Sequence, residues 1–332
     1  MGRNMIDIDE QELINMLAEL PTQQAVADHF GVSQPTISNR IKELGLVKSR
    51  GTTNKDSRIE FPSLSWEEVK KILFEVQNNN SPTVGYEAVD IEIESPGNIL
   101  IIPLLDLHIG SRYTYSRELV DLIDLIVENP RVFTGFNGDL ADNYNTSAYR
   151  GGQIEQGLKI QMQKAIVETL VKRLHGNILW FINGCHDEWS YFNDGFDFAQ
   201  YLSHKDVEGY YMGHHGTVKL YLNGIKYKLF VTHNTYRNST LNEPHGLKWV
   251  CREHVGYDAA IKGHDHVPFV DEFILRNRIR YAICGAPWKG QDRHGSKVGY
   301  SPIIQTTPGI IFNGKEKAFL ADIDYKNLVK YL

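Results

Sequence analysis

The sequence predicts an α/β fold, a sandwich of mixed sheets with helices outside, preceded by a small all-α domain. Three observations predict it. From about Glu87 onward, apolar runs of strand length alternate with amphipathic runs of helix length. Later in that region hairpin signals accumulate instead. Residues 1–50, by contrast, carry only helical periodicity. The implied boundaries are 1–50 for the helical domain, 51–86 for a linker with one short helix, and 87–332 for the sandwich. With 332 residues, 42% hydrophobic and 23% charged, the chain can bury one large core and one small one. A net charge of −6 gives no overall attraction to nucleic acid or anionic membranes, so any nucleic-acid contact has to come from a local patch. An odd count of three cysteines builds no disulfide framework and fits a reducing compartment. The opening "MGRNMIDIDEQEL" is too acidic for a secretory signal, and no apolar run nears the roughly 18 residues of a membrane span. A cytoplasmic protein with no membrane partner is the expectation.

In chain order, "DEQELINMLAEL" predicts a helix with Leu13, Leu17 and Leu20 on one stripe. A second helix, "TQQAVADHF", ends at Gly31. Ser33 is placed to cap a third, "QPTISNRIKEL", in which Pro35 sits harmlessly in the first turn. Ala27 allows close approach of two helices, and Val26, Phe30, Val32, Ile37 and Ile41 supply a core. This pattern resembles a helix-turn-helix DNA-binding motif. The resemblance implies that Gln34, Thr36, Ser38, Asn39, Arg40 and Lys42 face DNA, as residue types that read base edges and phosphates. DNA is then the expected partner, and a homodimer on paired half-sites would fit. The acidic residues Asp7, Asp9, Glu10, Glu12, Glu19, Asp28 and Glu43 weaken the positive field of this domain. In the linker, Ser65 and Glu68 are spaced as a capping box ahead of "WEEVKKILFEVQ".

Within the sandwich region, "AVDIEIE" alternates as a strand, and "NILIIPLLDLH" reads as a strand covered on both faces. "RELVDLIDLIVE" is helical, "RVFTGFNGDL" is a strand, and "QIEQGLKIQMQKAIVETLVKRLH" reads as one long helix. "NILWFINGCHD" is again a strand. "TVKLYLNGIKYKLFVTHN" is a hairpin about Asn223-Gly224. "DAAIKGHDH" is a strand and loop, and "DEFILRNRIRYAICG" is a second hairpin.

The chemistry-bearing residues collect at the carboxyl ends of these strands, where α/β folds place their sites. "LLDLHIG" supplies Asp106 and His108, "FNGDLADN" supplies Asp139 and Asp142, and "INGCHDE" supplies Cys185, His186 and Asp187. His233 follows "FVT", and His264 and His266 follow "IKG". Asp106 and His108, like His264 and His266, are two apart, so an extended backbone would point each pair one way. The order Asp-x-His, Gly-Asp, Gly-x-His-Asp, His, Gly-His-x-His resembles that of the calcineurin-like metallophosphoesterases, over about residues 99–324. The resemblance implies an αββα double-sheet sandwich and two divalent metal ions, with manganese, iron or zinc as candidates. One ion would be held by Asp106, His108, Asp139 and His266, and the other by Asp139, Cys185, His233 and His264, with Asp139 bridging. It implies a metal-bound hydroxide as nucleophile. His186 would protonate the leaving oxygen or hold a phosphate oxygen, with Asp187 orienting its ring.

At Cys185 the family usually has asparagine. Three readings stay open: a thiolate ligand favouring a softer ion, a spectator whose place Asn183 or water fills, or a weak second metal position. Cys251 and Cys284 are expected core residues. Candidate substrate contacts are Tyr144, Asn145 and Arg150, then Tyr236 and Arg237, then Lys289, Arg293 and Lys297 beside Trp288 and Tyr300. Arg276, Arg278 and Arg280 would share one strand face. The leading expectation is a metal-dependent phosphodiesterase or nuclease acting on DNA. The alternatives are a phosphatase or phosphodiesterase for nucleotides or phosphoproteins regulated by the helix-turn-helix, and a DNA-binding regulator without catalysis.

Overall fold

Two six-stranded sheets, each with its own helical cover, account for most of the chain in a computed structural model. It describes residues 8–20, 22–44, 65–71, 88–145, 150–204, 208–237, 239, 241–254, 256–298 and 305–332. The chain divides into two compact units, Met1–Phe74 and Glu75–Leu332.

In the first unit, helices Glu10–Glu19, Gln23–His29 and Gln34–Glu43 pack around Ile8, Leu13, Val26, Ala27, Ile37 and Ile41. Asp9 and Thr22 cap the first two, accepting from Glu12 N at 2.8 Å and Ala25 N at 3.2 Å. Gly31 turns the chain at φ +64° between the second and third helices, where a Cβ would be strained. Ser33 precedes the third helix, but its hydroxyl bonds Thr36 Oγ1 at 2.8 Å rather than a backbone N–H. The Ser65–Glu68 pair is reciprocal, with Ser65 N donating to Glu68 at 2.8 Å and Glu68 N donating to Ser65 Oγ at 3.3 Å.

The second unit is an αββα sandwich. One sheet has the order β1-β6-β7-β8-β10-β9, made of β1 Ala88–Ile93, β6 His215–Leu222, β7 Ile225–Thr232, β8 Ala259–Lys262, β9 Phe269–Leu275 and β10 Arg278–Cys284. The other has the order β12-β11-β2-β3-β4-β5, made of β2 Ile99–Ile101, β3 Val132–Asn137, β4 Ile178–Ile182, β5 Tyr210–Tyr211, β11 Gly309–Phe312 and β12 Phe319–Asp322. The strand period of two divides the apolar residues between layers. Ile99 and Ile101 face the partner sheet, with Val218, Leu220, Leu229, Ile261 and Phe312. Leu100 and Ile102 face the helices, with Leu122, Ile126, Val167 and Val171. Leu247, Val250 and Cys251 of helix His245–Glu253 cover Ala260 and Ala282 on the far sheet.

Several sequence expectations are corrected. The segment 98–108 is a strand only over Ile99–Ile101, because Pro103 cannot donate to the ladder; Ile102 N and Leu104 N still bond Phe133 O and Gly135 O at 2.9 Å each. The expected long helix is two, Arg150–Glu155 and Ile160–Arg173. Between them, Gly157 N donates to Gly110 O at 2.7 Å, which turns the chain out of helical geometry. "CHDE" is not a strand tip but the first turn of helix Cys185–Asp194.

Candidate metal centre

The loops beyond β2, β3, β4, β7 and β8 meet at one end of the seam between the sheets. Asp106, His108, Asp139 and His266 form one close group, and Asp139, Cys185, His233 and His264 form another; within each, ligand-type atoms lie within 4.8 Å of one another. Asp139 belongs to both. Its Oδ1 accepts from His186 N at 2.8 Å, and its Oδ2 lies 3.5 Å from both Cys185 Sγ and His233 Nε2 and 3.9 Å from His108 Nε2. The backbone N–H at the start of helix Cys185–Asp194 thus fixes one carboxylate oxygen, while the other faces the donors.

The backbone route differs from the extended geometry expected for the Asp-x-His and His-x-His pairs. Asp106, His108, Asp139, His264 and His266 all have left-handed φ, between +46° and +70°. Each costs about 1–2 kcal/mol in a non-glycine residue. Hydrogen bonds hold this turn. Both oxygens of Asp106 accept from His264 N at 3.0 Å, which ties the β2 loop to the β8 loop.

The donor set fits divalent cations. His233 Nδ1 donates to the carbonyl of Asn137 at 2.8 Å, which fixes the ring with Nε2 turned toward Asp139 Oδ2 at 3.5 Å, the atom a cation would take in place of a proton. Ring nitrogens face each other at 3.2 Å (His264 Nδ1 and His233 Nε2) and 3.3 Å (His108 Nε2 and His266 Nε2). Such imidazole pairs beside buried carboxylates are satisfied by a shared cation. His108 Nδ1 is buried without a hydrogen-bond partner and lies 3.4 Å from Asp142 Oδ1. Burial works against the charge of Asp139, but His233, His186 and His108 hold its carboxyl well below the usual range. Burial, reinforced by Asp139, pushes the Cys185 thiol up, so a cation is what would deprotonate it. Cys185 Sγ lies 3.5 Å from His264 Nδ1, inside the second group. Asn183 Nδ2 donates to Asp197 at 2.8 Å and Tyr211 at 2.9 Å, while its Oδ1 is buried without a hydrogen-bond partner.

His186 lies beside the first group. Its Nδ1 donates to the carbonyl of Asp142 at 2.6 Å, and its ring packs 3.9 Å from Trp189 and 4.6 Å from His108, centroid to centroid. Burial lowers its pKa to about 4 despite Asp139, leaving the ring neutral with Nε2 bare. Asp187 does not orient this ring. Its carboxylate accepts from Gly184 N at 3.0 Å and Leu140 N at 3.2 Å, pinning the helix start to the Gly138-Asp139 loop. Burial and Asp139 raise its pKa to about 7.

The expected substrate contacts fall in different places. Tyr144 packs 5.1 Å from the His186 ring, with Lys289 Nζ 5.4 Å over its face. Asn145 donates to Trp189 O at 2.9 Å. Arg237 is exposed and stacks on Trp249 at 3.8 Å. Arg293 is exposed on helix Arg293–Val298, its backbone N 3.4 Å from Glu155, and Lys297 is exposed on the same helix. Lys289 is held by Asp142 at 3.2 Å and Asp292 at 2.9 Å. The arginine face is broken: Arg276 and Arg278 are exposed, but Arg280 is buried against Asp258 at 2.9 Å. Tyr300 and the side chains of Arg150 and Lys42 lie outside the described residues. In the first unit, Gln34, Thr36 and Asn39 are exposed, and Ser38 and Arg40 partly so, while Ile37 and Ile41 point inward. Arg40 pairs with Glu43 at 3.2 Å.

Sequence reasoning missed Trp189 and Asn143. Asn143 is buried, donates to His186 O at 2.5 Å, and has φ +47°, a conformation asparagine tolerates. Its place one residue after Asp142 was the available signal.

No family model matches the chain, and no curated protein does. Among solved structures, Vps29 of Entamoeba histolytica in complex with Zn2+ is similar at 11% identity, over 68% of this chain and 97% of that one, with a TM-score of 0.37. Vps29 of Chaetomium thermophilum is similar at 9% identity, over 68% and 96%, with a TM-score of 0.35. At likenesses this low, the chemistry of the site is read from its own side chains. Those side chains assemble a clustered carboxylate and imidazole centre able to hold metal, buried where the two sheets meet.

Proposed function

We propose that the chain is a divalent-metal-dependent phosphoesterase that hydrolyses DNA phosphodiesters. One observation carries the reading: two four-donor groups share the single carboxylate of Asp139 at the carboxyl ends of the strands. Asp106, His108 and His266 would complete one set, and Cys185, His233 and His264 the other. A bound cation pair supplies charge neutralisation for phosphoryl oxygens and an activated water near neutral pH.

The chain's own residues supply the rest. His186 Nδ1–H is tied to Asp142 O, so proton exchange is confined to Nε2. His186 Nε2 would hold a phosphoryl oxygen or, after taking the proton released by the attacking water, would pass that proton to the leaving oxygen. Trp189 and Tyr144 pack around the ring and exclude water from it. Support for DNA comes from the three-helix unit, whose third helix turns Gln34, Thr36 and Asn39 outward.

The test is incubation with Mn2+ and end-labelled single- and double-stranded DNA, beside p-nitrophenyl phosphate and cyclic nucleotides. DNA cleavage that falls at least about 1,000-fold in Asp139→Asn is expected, as for loss of a major transition-state stabiliser. Turnover of the small esters without DNA cleavage would move the substrate to nucleotides or phosphoproteins. No turnover under any divalent ion would leave a DNA-binding regulator.

A further inference from the structure

Asn137 ends β3 fully buried, and its side chain crosses the seam between the two sheets. Its Nδ2 donates to Thr232 O, the last residue of β7, at 2.9 Å, and to Ile261 O in β8 at 3.4 Å. Its Oδ1 accepts from Trp180 Nε1 in β4 at 2.9 Å. Its own carbonyl accepts from His233 Nδ1 at 2.8 Å. One residue therefore binds two strands of the opposite sheet, a second strand of its own sheet, and the ring of His233.

Each donor group straddles that same seam. Asp106, Asp139 and Cys185 follow strands of one sheet, and His233, His264 and His266 follow strands of the other. Much of the seam is apolar, through residues such as Ile99, Ile101, Val218 and Leu229; it is also tied by Asp106 to His264 N in the site loops and, near the start of β7, by Tyr227 Oη donating to carbonyls of the β11–β12 connection. Apolar contact is non-directional and resists small slides between layers weakly. Metal coordination tolerates only about 0.2 Å. Directional hydrogen bonds at the seam can supply that precision. The bonds of Asn137 act immediately before His233, at Thr232, and three residues before His264, at Ile261.

We propose that Asn137 is a positioning residue that sets the sheet-to-sheet register at the site, and that the Asp139, Cys185, His233, His264 group depends on it to hold a cation. The proposal rests on the phosphoesterase reading of the centre. His266 lies further from the tie, so the group it belongs to depends on Asn137 less.

The experiment is calorimetric titration of the full chain with Co2+ alone, with the visible cobalt spectrum as second readout. The variants are Asn137→Ala, Trp180→Phe, and Val218→Ala as a core control remote from the site loops. Wild type is expected to take two equivalents. Asn137→Ala should keep one near wild-type affinity and weaken the other by roughly 10- to 100-fold, the range for lost outer-shell partners. Trp180→Phe should weaken the same equivalent by a smaller factor, and it decides the matter if Asn137→Ala fails to fold. Val218→Ala should lower the melting temperature and leave both equivalents intact. Unchanged binding in Asn137→Ala overturns the proposal, as does an equal loss in Val218→Ala, which would show general loosening. Fewer than two equivalents in wild type would fail the reading of the centre itself, separately from the role of Asn137.

Discussion

Five of the seven candidate ligands sit in left-handed backbone, and the strain this stores is offset by bonds such as Asp106 to His264 N. Residues of this kind persist only where their surroundings over-determine them. The cysteines separate by environment. Cys185 is partly accessible among the donors, whereas Cys251 is buried on helix His245–Glu253 and takes no part in the site. Burial pushes the Cys251 thiol up to about 12, with nearby Arg280 working in the opposite direction. The folded state therefore keeps that proton after the unfolded chain, near the ordinary thiol value of 9.0, has lost it. Fewer protons on the unfolded state means stability falls as pH rises from about 9 to about 12, by up to about 4 kcal/mol for this group. Chemical denaturation across that window should show a shallower decline in Cys251→Ala than in wild type. Parallel slopes would contradict the assignment.

At the scale of elements, the start of helix Cys185–Asp194 meets the Gly138-Asp139 loop with no space between them. A Cβ on Gly184 would run into the backbone N and Oδ1 of Asp139. Gly184→Ala should therefore cost about 1–3 kcal/mol of stability, the range for overpacking, and abolish tight metal binding. An unaltered melting curve with unaltered metal titration would show that the loops can part freely. Much of this architecture was legible beforehand. The Asn223-Gly224 turn has the positive φ values, +49° and +79°, that a primed turn requires. Strands buried on both faces announced themselves as apolar runs. Helix Cys185–Asp194 was hidden because its first turn holds site residues and its body holds Trp189, Tyr191 and Phe192, types that also suit strands. The break at Gly157 was hidden because apolar periodicity continues on both sides of it. The clustering of Asp106, His108, Asp139 and the three later histidines was readable from strand ends. Their left-handed turns, and the turning of Asp187 toward Gly184, depend on tertiary contacts that periodicity does not encode.

For the whole molecule, the two compact units carry separate cores, and the donors all lie in the second. No described helix is long and apolar enough to cross a membrane. Removal of residues 1–74 should leave metal binding and p-nitrophenyl phosphate turnover within about twofold of the full chain. DNA affinity should fall at least about tenfold, equivalent to some 1.4 kcal/mol. Equal loss of both functions would mean that the first unit supports the fold of the second. The most direct test of the central claim is anomalous scattering from crystals soaked in zinc. Two ions are expected on opposite sides of Asp139, one with His108 and His266, the other with His233, His264 and a Cys185 sulfur at about 2.3 Å. Ions bound elsewhere, or none between these side chains, would contradict it.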